Sequence, residues 1–456
     1  MNLNSPQRVH FIGIGGVGMS AIAKVLLERG AEVTGSDLKR SRVASVLEAM
    51  GATVHIGHDP AHVDQASTVV VSSAISRSNP EYQRALELNL EVITRGKALA
   101  AVLEGFRSVV IAGTHGKTTT TSMIVTVLQS AGIDPTFLVG AGLNDSGTNA
   151  RAGTSDIAVA EADESDGSFL LLKPHVSVIT NLEMDHIDHW GTMDALTEAF
   201  REFALRTDED GCLVVPATDA ELLAMVSATG RRILSFGEGG DIEAVGVDLT
   251  GLGARFTLRS AGSGAEVELR VPGTHNVANA LAAAAAALSL GVSLEDVARG
   301  LSGYRGVERR FQVRGEIDGV TVVDDYAHHP TEIAATLAAA RSGPWKRVVA
   351  IFQPHRFSRT QALAAEFGAA FEGADQVIFM DVYGAGEEAI PGVSGKLLVD
   401  AVCRASPGRR VAFFPHRADM LRFTRAVTRP GDLLLTMGAG DVTGVGEELL
   451  ELGTAG

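Results

Sequence analysis

The chain has 456 residues, of which 45% are hydrophobic, 21% charged and 5% aromatic, and its formal net charge is −16. That length predicts roughly two to four domains, and the apolar fraction rules out wholesale disorder. The acidic balance disfavours a general nucleic-acid or anionic-membrane binder, so any anionic ligand must be held by local positive features. Two cysteines, Cys212 and Cys403, form neither a CxxC pair nor a zinc pattern, which predicts a reducing compartment. The opening MNLNSPQRVHFIGIGG lacks a basic segment followed by an apolar one, and the alanine-rich stretch 280–290 is too short to span a bilayer. A soluble, cytoplasmic protein is expected.

Short apolar runs alternate with helical patterns from end to end, which predicts an α/β fold with mainly parallel sheets. Residues 8–14 read as a strand, 17–29 as a helix, and 31–35 and 68–71 as further strands. A second nucleus begins at 108–112 and a third near 320–323, with strands recurring at 347–352, 376–380 and 432–436. Boundaries near 106 and 312 divide the chain into 1–106, 107–312 and 313–456.

Gly13-Ile14-Gly15-Gly16-Val17-Gly18 satisfies GxGxxG between the first strand and helix, and Asp37 follows the second strand. Glycines let the backbone approach a diphosphate, a helix N-terminus offers N–H groups, and the acid accepts ribose hydroxyls. Alone, this loop fits an NAD-dependent dehydrogenase, another nucleotide, or a tight turn with no ligand. A second loop, Gly113-Thr114-His115-Gly116-Lys117-Thr118-Thr119, is a Walker A loop shortened to GxxGKT. Its N–H groups form a nest for phosphate, Lys117 reaches the β- and γ-phosphates, and the Thr118 hydroxyl suits Mg²⁺. Two nucleotide-type loops in separate domains argue against a simple dehydrogenase.

The strand at 157–160 ends in Glu161-Ala162-Asp163-Glu164-Ser165-Asp166, four carboxylates whose charge a divalent cation beside ATP would offset. The strand at 176–180 ends in a run holding Asp185, His186, Asp188 and His189, a second candidate ligand group. Asn276 and Asn279 lie three apart on one helical face, where their amides suit an adenine edge or, for Asn276, a helix cap. Arg310 carries a guanidinium suited to phosphate.

Together, GTHGKTTTT, EADESDGSF, NLEMDHIDHW, GTHNVANALAA and ERRF resemble the ATP-dependent Mur ligases of peptidoglycan synthesis. GIGGVGMSAIA, VVVSSAI, DDYAHHPTEI and QPHRFSRT are similar to the branch that adds the first amino acid. The resemblance spans the whole chain and implies three domains: an N-terminal Rossmann-like domain for the UDP-sugar, a central P-loop-type ATPase α/β domain, and a C-terminal Rossmann-like domain that closes over ATP and admits the amino acid. It overrules the dehydrogenase reading and implies ATP-dependent joining of L-alanine to the lactyl carboxylate of UDP-N-acetylmuramate through an acyl phosphate. The implied cofactor is Mg²⁺, with Mn²⁺ as a substitute, and ATP is a co-substrate. The implied partners are these small molecules, with no nucleic acid and no stable membrane insertion.

Residue by residue, the resemblance places the UDP-sugar at Gly13, Gly15, Gly16, Gly18, Ser36, Asp37, Ser72 and Ser73. It places ATP at Gly113, Thr114, Gly116, Lys117, Thr118, Thr119, Asn276, Asn279, Arg310 and Asp325, and metal at Thr118, Glu161 and His186. His115 is implied near the reacting carboxylate, and Tyr326, His328, Arg356 and Arg359 where alanine meets the sugar acid. Lys117, His115, Arg310, His328, Arg356 and Arg359 are thus the catalytic candidates; His328 and Asp325 both remain candidate bases for the amine. In several sibling ligases a carbamylated lysine helps hold a second metal, but here no lysine lies between Lys173 and Lys346. Two alternatives are a sibling ligase that attaches a recycled murein peptide to the same sugar, and a nucleotide-binding regulatory protein without ligase activity.

Overall fold

A computed structural model describes residues 7–72, 74–185 and 187–454. Its central strands, such as RVHFI, TVVV and RVVAIF, are apolar nearly throughout, the composition of parallel strands covered on both faces. β1 (Arg8–Ile12), β2 (Glu32–Asp37), β3 (Thr53–Ile56), β4 (Thr68–Val71) and β5 (Glu91–Thr94) form a parallel sheet in the order β3-β2-β1-β4-β5. The first strand stops at Ile12, earlier than the expected residue 14, because Gly13 adopts a φ of +85° and turns the chain. The second strand runs on to Asp37, which carries that side chain to the glycine turn.

β6 (Arg107–Ala112), β7 (Thr136–Leu138), β8 (Ala150–Arg151), β9 (Ile157–Glu161), β10 (Val176–Ile179), β11 (Cys212–Pro216) and β12 (Arg232–Phe236) follow in the order β12-β11-β10-β6-β9-β7-β8. All pair in parallel except β8. β13 (Ile242–Leu249), β14 (Ala254–Ser260) and β15 (Ser263–Leu269) continue this sheet beyond β12. A third sheet holds β16 (Gln312–Ile317), β17 (Val320–Asp325), β18 (Arg347–Phe352), β19 (Gln376–Phe379), β20 (Arg410–Phe413) and β21 (Asp432–Met437). Its order is β16-β17-β21-β18-β19-β20, with only β16 antiparallel.

The chain packs as two compact units, one built mainly from residues up to 245 and the other mainly from residue 305 onward. In the first unit one apolar core joins Met19, Ala23 and Leu26 of the helix Val17–Glu28 to Leu138, Ala150 and Ala158. β6 begins at Arg107, and the apolar core runs on across this point of the chain. In the second unit separate apolar clusters cover the two faces of the third sheet, one around Phe352 and Phe379 and one around Ile351 and Met420. Among the described residues no helix is long and apolar enough to cross a membrane.

Candidate functional site

In the first unit β1 and β2 end side by side, with Ile12 opposite Ser36. This brings the first glycine loop to Asp37: the Gly15 N–H donates to Asp37 Oδ2 at 2.9 Å. The acid expected at a ribose thus also stiffens the loop through one of its oxygens. Ser72, at the end of β4, lies beside Gly13. Ser36 is fully buried and donates to the Glu81 carboxylate, which also meets His58 Nδ1 at 3.0 Å and His62 Nδ1 at 2.6 Å. These contacts hold Glu81 ionised: burial opposes the charge, yet His10, Ser36 and His62 bring its pKa down to about 2. Gly13, Gly15, Gly16, Gly18, Asp37 and Ser72 therefore gather at one sheet edge, while the Ser36 hydroxyl points to Glu81; Ser73 lies outside the described residues.

The second loop leaves β6 at Gly113 and enters the helix Lys117–Ser130 through Gly116. Gly113 and Gly116 have φ of +130° and +81°, and a Cβ at either would collide, with Thr180 or with Asn279. Only glycine fits both the turn and the approach. Thr180 and Asn181 at the end of β10 clamp the loop: the His115 N–H donates to Asn181 Oδ1 at 2.9 Å, and Asn181 Nδ2 donates to the His115 carbonyl at 2.9 Å. Thr114 Oγ1 bonds the backbone of Glu183.

The Lys117 ammonium sits inside this turn, donating to the Gly113 and Thr114 carbonyls and to Glu164 Oε1 at 2.8 Å. Burial alone depresses it, but Glu164, Glu161 and Asp163 outweigh burial and hold its pKa above the ordinary value. Burial pushes the Glu164 carboxyl up despite Lys117. Thr118 Oγ1 lies 2.8 and 3.0 Å from the two Glu161 oxygens, and Glu161 also accepts from the Gly140 N–H. A hydroxyl and a carboxylate converging at a phosphate-type loop are hard oxygen donors that suit Mg²⁺ or Mn²⁺. His186, the third expected ligand, lies outside the described residues. Asn279 joins this site, its Oδ1 lying 3.3 Å from Thr120 Oγ1. Thr119 is buried on the same helix.

The second unit gathers another set. Asp325, at the end of β17, accepts from the Phe311 and Ala327 N–H groups at 2.7 Å each, so its carboxyl orders the two loops that carry Arg310 and His328. Burial nonetheless raises its pKa to about 6. Arg309 and Arg310 both lie over the Tyr326 ring, and Arg310 approaches Glu332 at 3.7 Å. His328 Nδ1 is 3.0 Å from the Tyr326 carbonyl, which makes Nδ1 the protonated nitrogen and leaves Nε2 as acceptor. His355 stands between His328 and Tyr383, with ring centroids 5.8 Å from each. Arg356 and Arg359 follow at the start of the helix Phe357–Ala362. Asn276 Nδ2 donates to the Pro272 carbonyl at 2.7 Å.

Burial drives three imidazoles of this unit well below their ordinary value: His275 to about 4, His328 to about 3 and His355 to about 4. His328 is therefore neutral, and its 3.3 Å approach to Glu332 is not an ion pair at neutral pH. A histidine depressed on folding binds its proton more readily when unfolded, so it removes stability as pH falls from about 6.5 toward 4. Asp325, raised on folding, works the other way between about 6 and 4 but is one group against three. The thermal midpoint should therefore drop on acidification over that window, and His328→Gln should drop less than the unaltered chain. An equal drop in both, followed by calorimetry, would reject the assignment.

Several partners had no sequence signal of their own. Glu164 stood in the acidic run but nothing marked it as the Lys117 partner; Asn181, Glu332 and His355 had no assigned role either. Each meets its target across 4 to 66 residues of chain.

A model described as "Mur ligase family, catalytic domain" matches residues 8–107, "Mur ligase middle domain" matches 111–287, and "Mur ligase, glutamate ligase domain" matches 309–440. The chain is 45% identical over 452 residues to the UDP-N-acetylmuramate–L-alanine ligase of Streptomyces avermitilis, covering 98% of this chain and 97% of the relative. Identity to the enzyme of the same name from Rubrobacter xylanophilus is 47%, covering 97% and 99%. Among solved structures, the UDP-N-acetylmuramate-alanine ligase of Thermotoga maritima superposes with a TM-score of 0.84 at 28% identity, covering 98% and 99%. A murein peptide ligase from Psychrobacter arcticus gives a TM-score of 0.74 at 26% identity, covering 98% of each chain.

Proposed function

The chain belongs to the Mur ligase family, and we propose from its site that it joins L-alanine to the lactyl carboxylate of UDP-N-acetylmuramate, with ATP giving ADP and phosphate. It is an acid–amino-acid ligase of peptidoglycan synthesis with a three-domain α/β architecture. The observation that carries the chemistry is the loop at Gly113–Thr118, where one ammonium and one hydroxyl face Glu164 and Glu161.

A carboxylate oxygen is a poor leaving group, so the acid needs activation before an amine can displace it. The γ-phosphoryl group of ATP passes to the lactyl carboxylate, giving an acyl phosphate and ADP. The alanine nitrogen then attacks the acyl carbon, and the tetrahedral intermediate expels inorganic phosphate as the amide forms. Two anions must meet in the first step, and fixed cations supply the compensation. Lys117 binds the β- and γ-phosphates, and Arg310 stabilises the transferring group. Thr118 and Glu161 would hold Mg²⁺, which supplies further charge neutralisation on the phosphates when bound. Arg356 or Arg359 forks onto the alanine carboxylate. Two groups of this unit are candidates for taking the amine proton: Asp325, whose oxygens already accept from two backbone N–H groups, and His328, whose Nε2 is an acceptor but whose pKa burial lowers to about 3.

The test is an ADP-release assay with each component omitted in turn. ADP should form only with UDP-N-acetylmuramate and L-alanine both present, and a tripeptide should not replace alanine. Release that ignores either substrate would reject the assignment.

A further inference from the structure

Arg95 takes no part in the chemistry above, yet it stands between the two nucleotide-type loops of the first unit. It is the first residue of the helix Arg95–Leu103. A cation there opposes the helix dipole, so its charge must be met from outside the helix. Arg95 Nη2 donates to Asp163 Oδ2 at 2.8 Å and lies 3.5 Å from Asp166 Oδ2. On its other side it lies against the first glycine loop: a Cβ on Gly18 would come within 3.1 Å of Arg95 Cδ and Nη1. One guanidinium therefore touches the loop assigned to the sugar diphosphate and the acidic run of the ATP site at once.

That run is short and tightly tied. Asp163 is followed directly by Glu164, whose carboxylate holds Lys117 and whose carbonyl accepts from Trp190 Nε1 at 3.0 Å. The Asp163 carbonyl accepts from Phe169 N–H and Ser168 Oγ, and the first turn of the Arg95 helix packs against Ser168 so closely that Gly96 has no room for a side chain. A change in what Arg95 holds is therefore passed, over one residue of chain, to the group that holds the phosphate-binding lysine.

We propose that Arg95 is a positioning residue that couples the two ligand sites: an arriving diphosphate draws its guanidinium from Asp163 and Asp166, and the relaxed acidic run lets Glu164 release Lys117 to ATP. Phosphate oxygens compete well for a forked guanidinium because they offer the same two-point geometry with more charge. Coupling between sites is reciprocal, so ATP tightens the sugar nucleotide by the same factor. This rests on the first glycine loop being the sugar-nucleotide site.

The experiment measures binding of a non-hydrolysable ATP analogue with Mg²⁺, with and without UDP-N-acetylmuramate, in the full chain. The sugar nucleotide should tighten the analogue by about tenfold, within the usual range of coupling. Arg95→Gln should bind the analogue more tightly than the unaltered chain when the sugar is absent, and the sugar should then add nothing. Asp163→Asn with Asp166→Asn should do the same while tightening UDP, because Arg95 is left free for it. Arg95→Lys should keep part of the coupling. A merely structural ion pair predicts the opposite, weaker analogue binding in every variant, and that result or an unchanged coupling factor overturns the proposal. Gly15→Val separates the premise: a side chain there would press on Asp37, so UDP binding should fall. If Gly15→Val leaves UDP binding intact, the site assignment fails; if it weakens UDP while Arg95→Gln behaves as the unaltered chain, only the coupling fails.

Discussion

Lys117→Met should lower kcat/KM by at least about a hundredfold, with kcat falling more than the affinity for ATP. A charge-assisted hydrogen bond contributes on the order of 1.5–3 kcal/mol, a factor of roughly ten to a hundred, and a water-poor site raises that. The ammonium is held inside the turn by two loop carbonyls, so once ATP has replaced Glu164 as its partner it needs little further movement when charge builds on the phosphoryl group. Lys117→Arg should not restore activity, since a planar fork cannot take the place of a compact ammonium inside the Gly113–Thr114 turn. Removing the cation also takes the ammonium at 2.8 Å away from Glu164, which is 3% exposed and already pushed upward by burial. The single variant should therefore lose stability, by about 3–5 kcal/mol if the carboxyl stays ionised and less if it protonates. Pairing it with Glu164→Gln should recover the melting temperature without recovering turnover. Steady-state kinetics and calorimetry on the three proteins separate the two effects; a double variant that regained activity would remove Lys117 from the chemistry.

The same residue shows where sequence reading succeeds and where it stops. Strand, glycine turn and helix around Lys117 are legible because the φ values at Gly113 and Gly116 demand glycine and the flanking periodicities are unambiguous. The parallel α/β character follows from strands such as TVVV and RVVAIF, which admit no solvent face. Which of four neighbouring carboxylates meets which partner is not legible. Glu161 ends β9 and turns to Thr118, whereas Glu164 lies three residues on, beyond the strand, and turns to Lys117. That choice is set by the backbone path after β9, not by residue type. Asp37 illustrates the same limit: its place after a glycine loop suggested a ribose acceptor, but only the extension of β2 to residue 37 shows it bonded to Gly15. The Glu81 cluster joins side chains from His10 to Glu81 across 71 residues, and no local pattern announces it. The core shared across residue 106 was likewise hidden, because composition does not change there.

Glu161→Gln should be the second most damaging change, lowering kcat by about a hundredfold at ordinary Mg²⁺ while leaving the fold intact. The substitution keeps the shape and one carbonyl oxygen, so Thr118 Oγ1 can still donate, and the Gly140 N–H at 2.9 Å retains an acceptor. What it removes is the negative charge that, on the proposed assignment, would draw a hard cation to the Thr118 hydroxyl. Mutation of a metal's surrounding groups commonly costs ten- to a hundredfold in affinity or activity, and a direct ligand should lie at or beyond the upper end. The loss should therefore be an affinity loss for the cation, partly reversed by raising Mg²⁺ well above the concentration that saturates the unaltered enzyme. Thr118→Val gives the matching control from the other side of the pair: it deletes the hydroxyl, keeps the charge, and should shift the Mg²⁺ requirement in the same direction by a smaller factor. With both groups proposed to hold one cation, their effects should fall short of additive in the double variant. A Glu161→Gln enzyme with an unchanged Mg²⁺ dependence would show that the carboxylate serves only to orient Thr118, and the cation would then have to be sought among the other acids that follow β9 and β10.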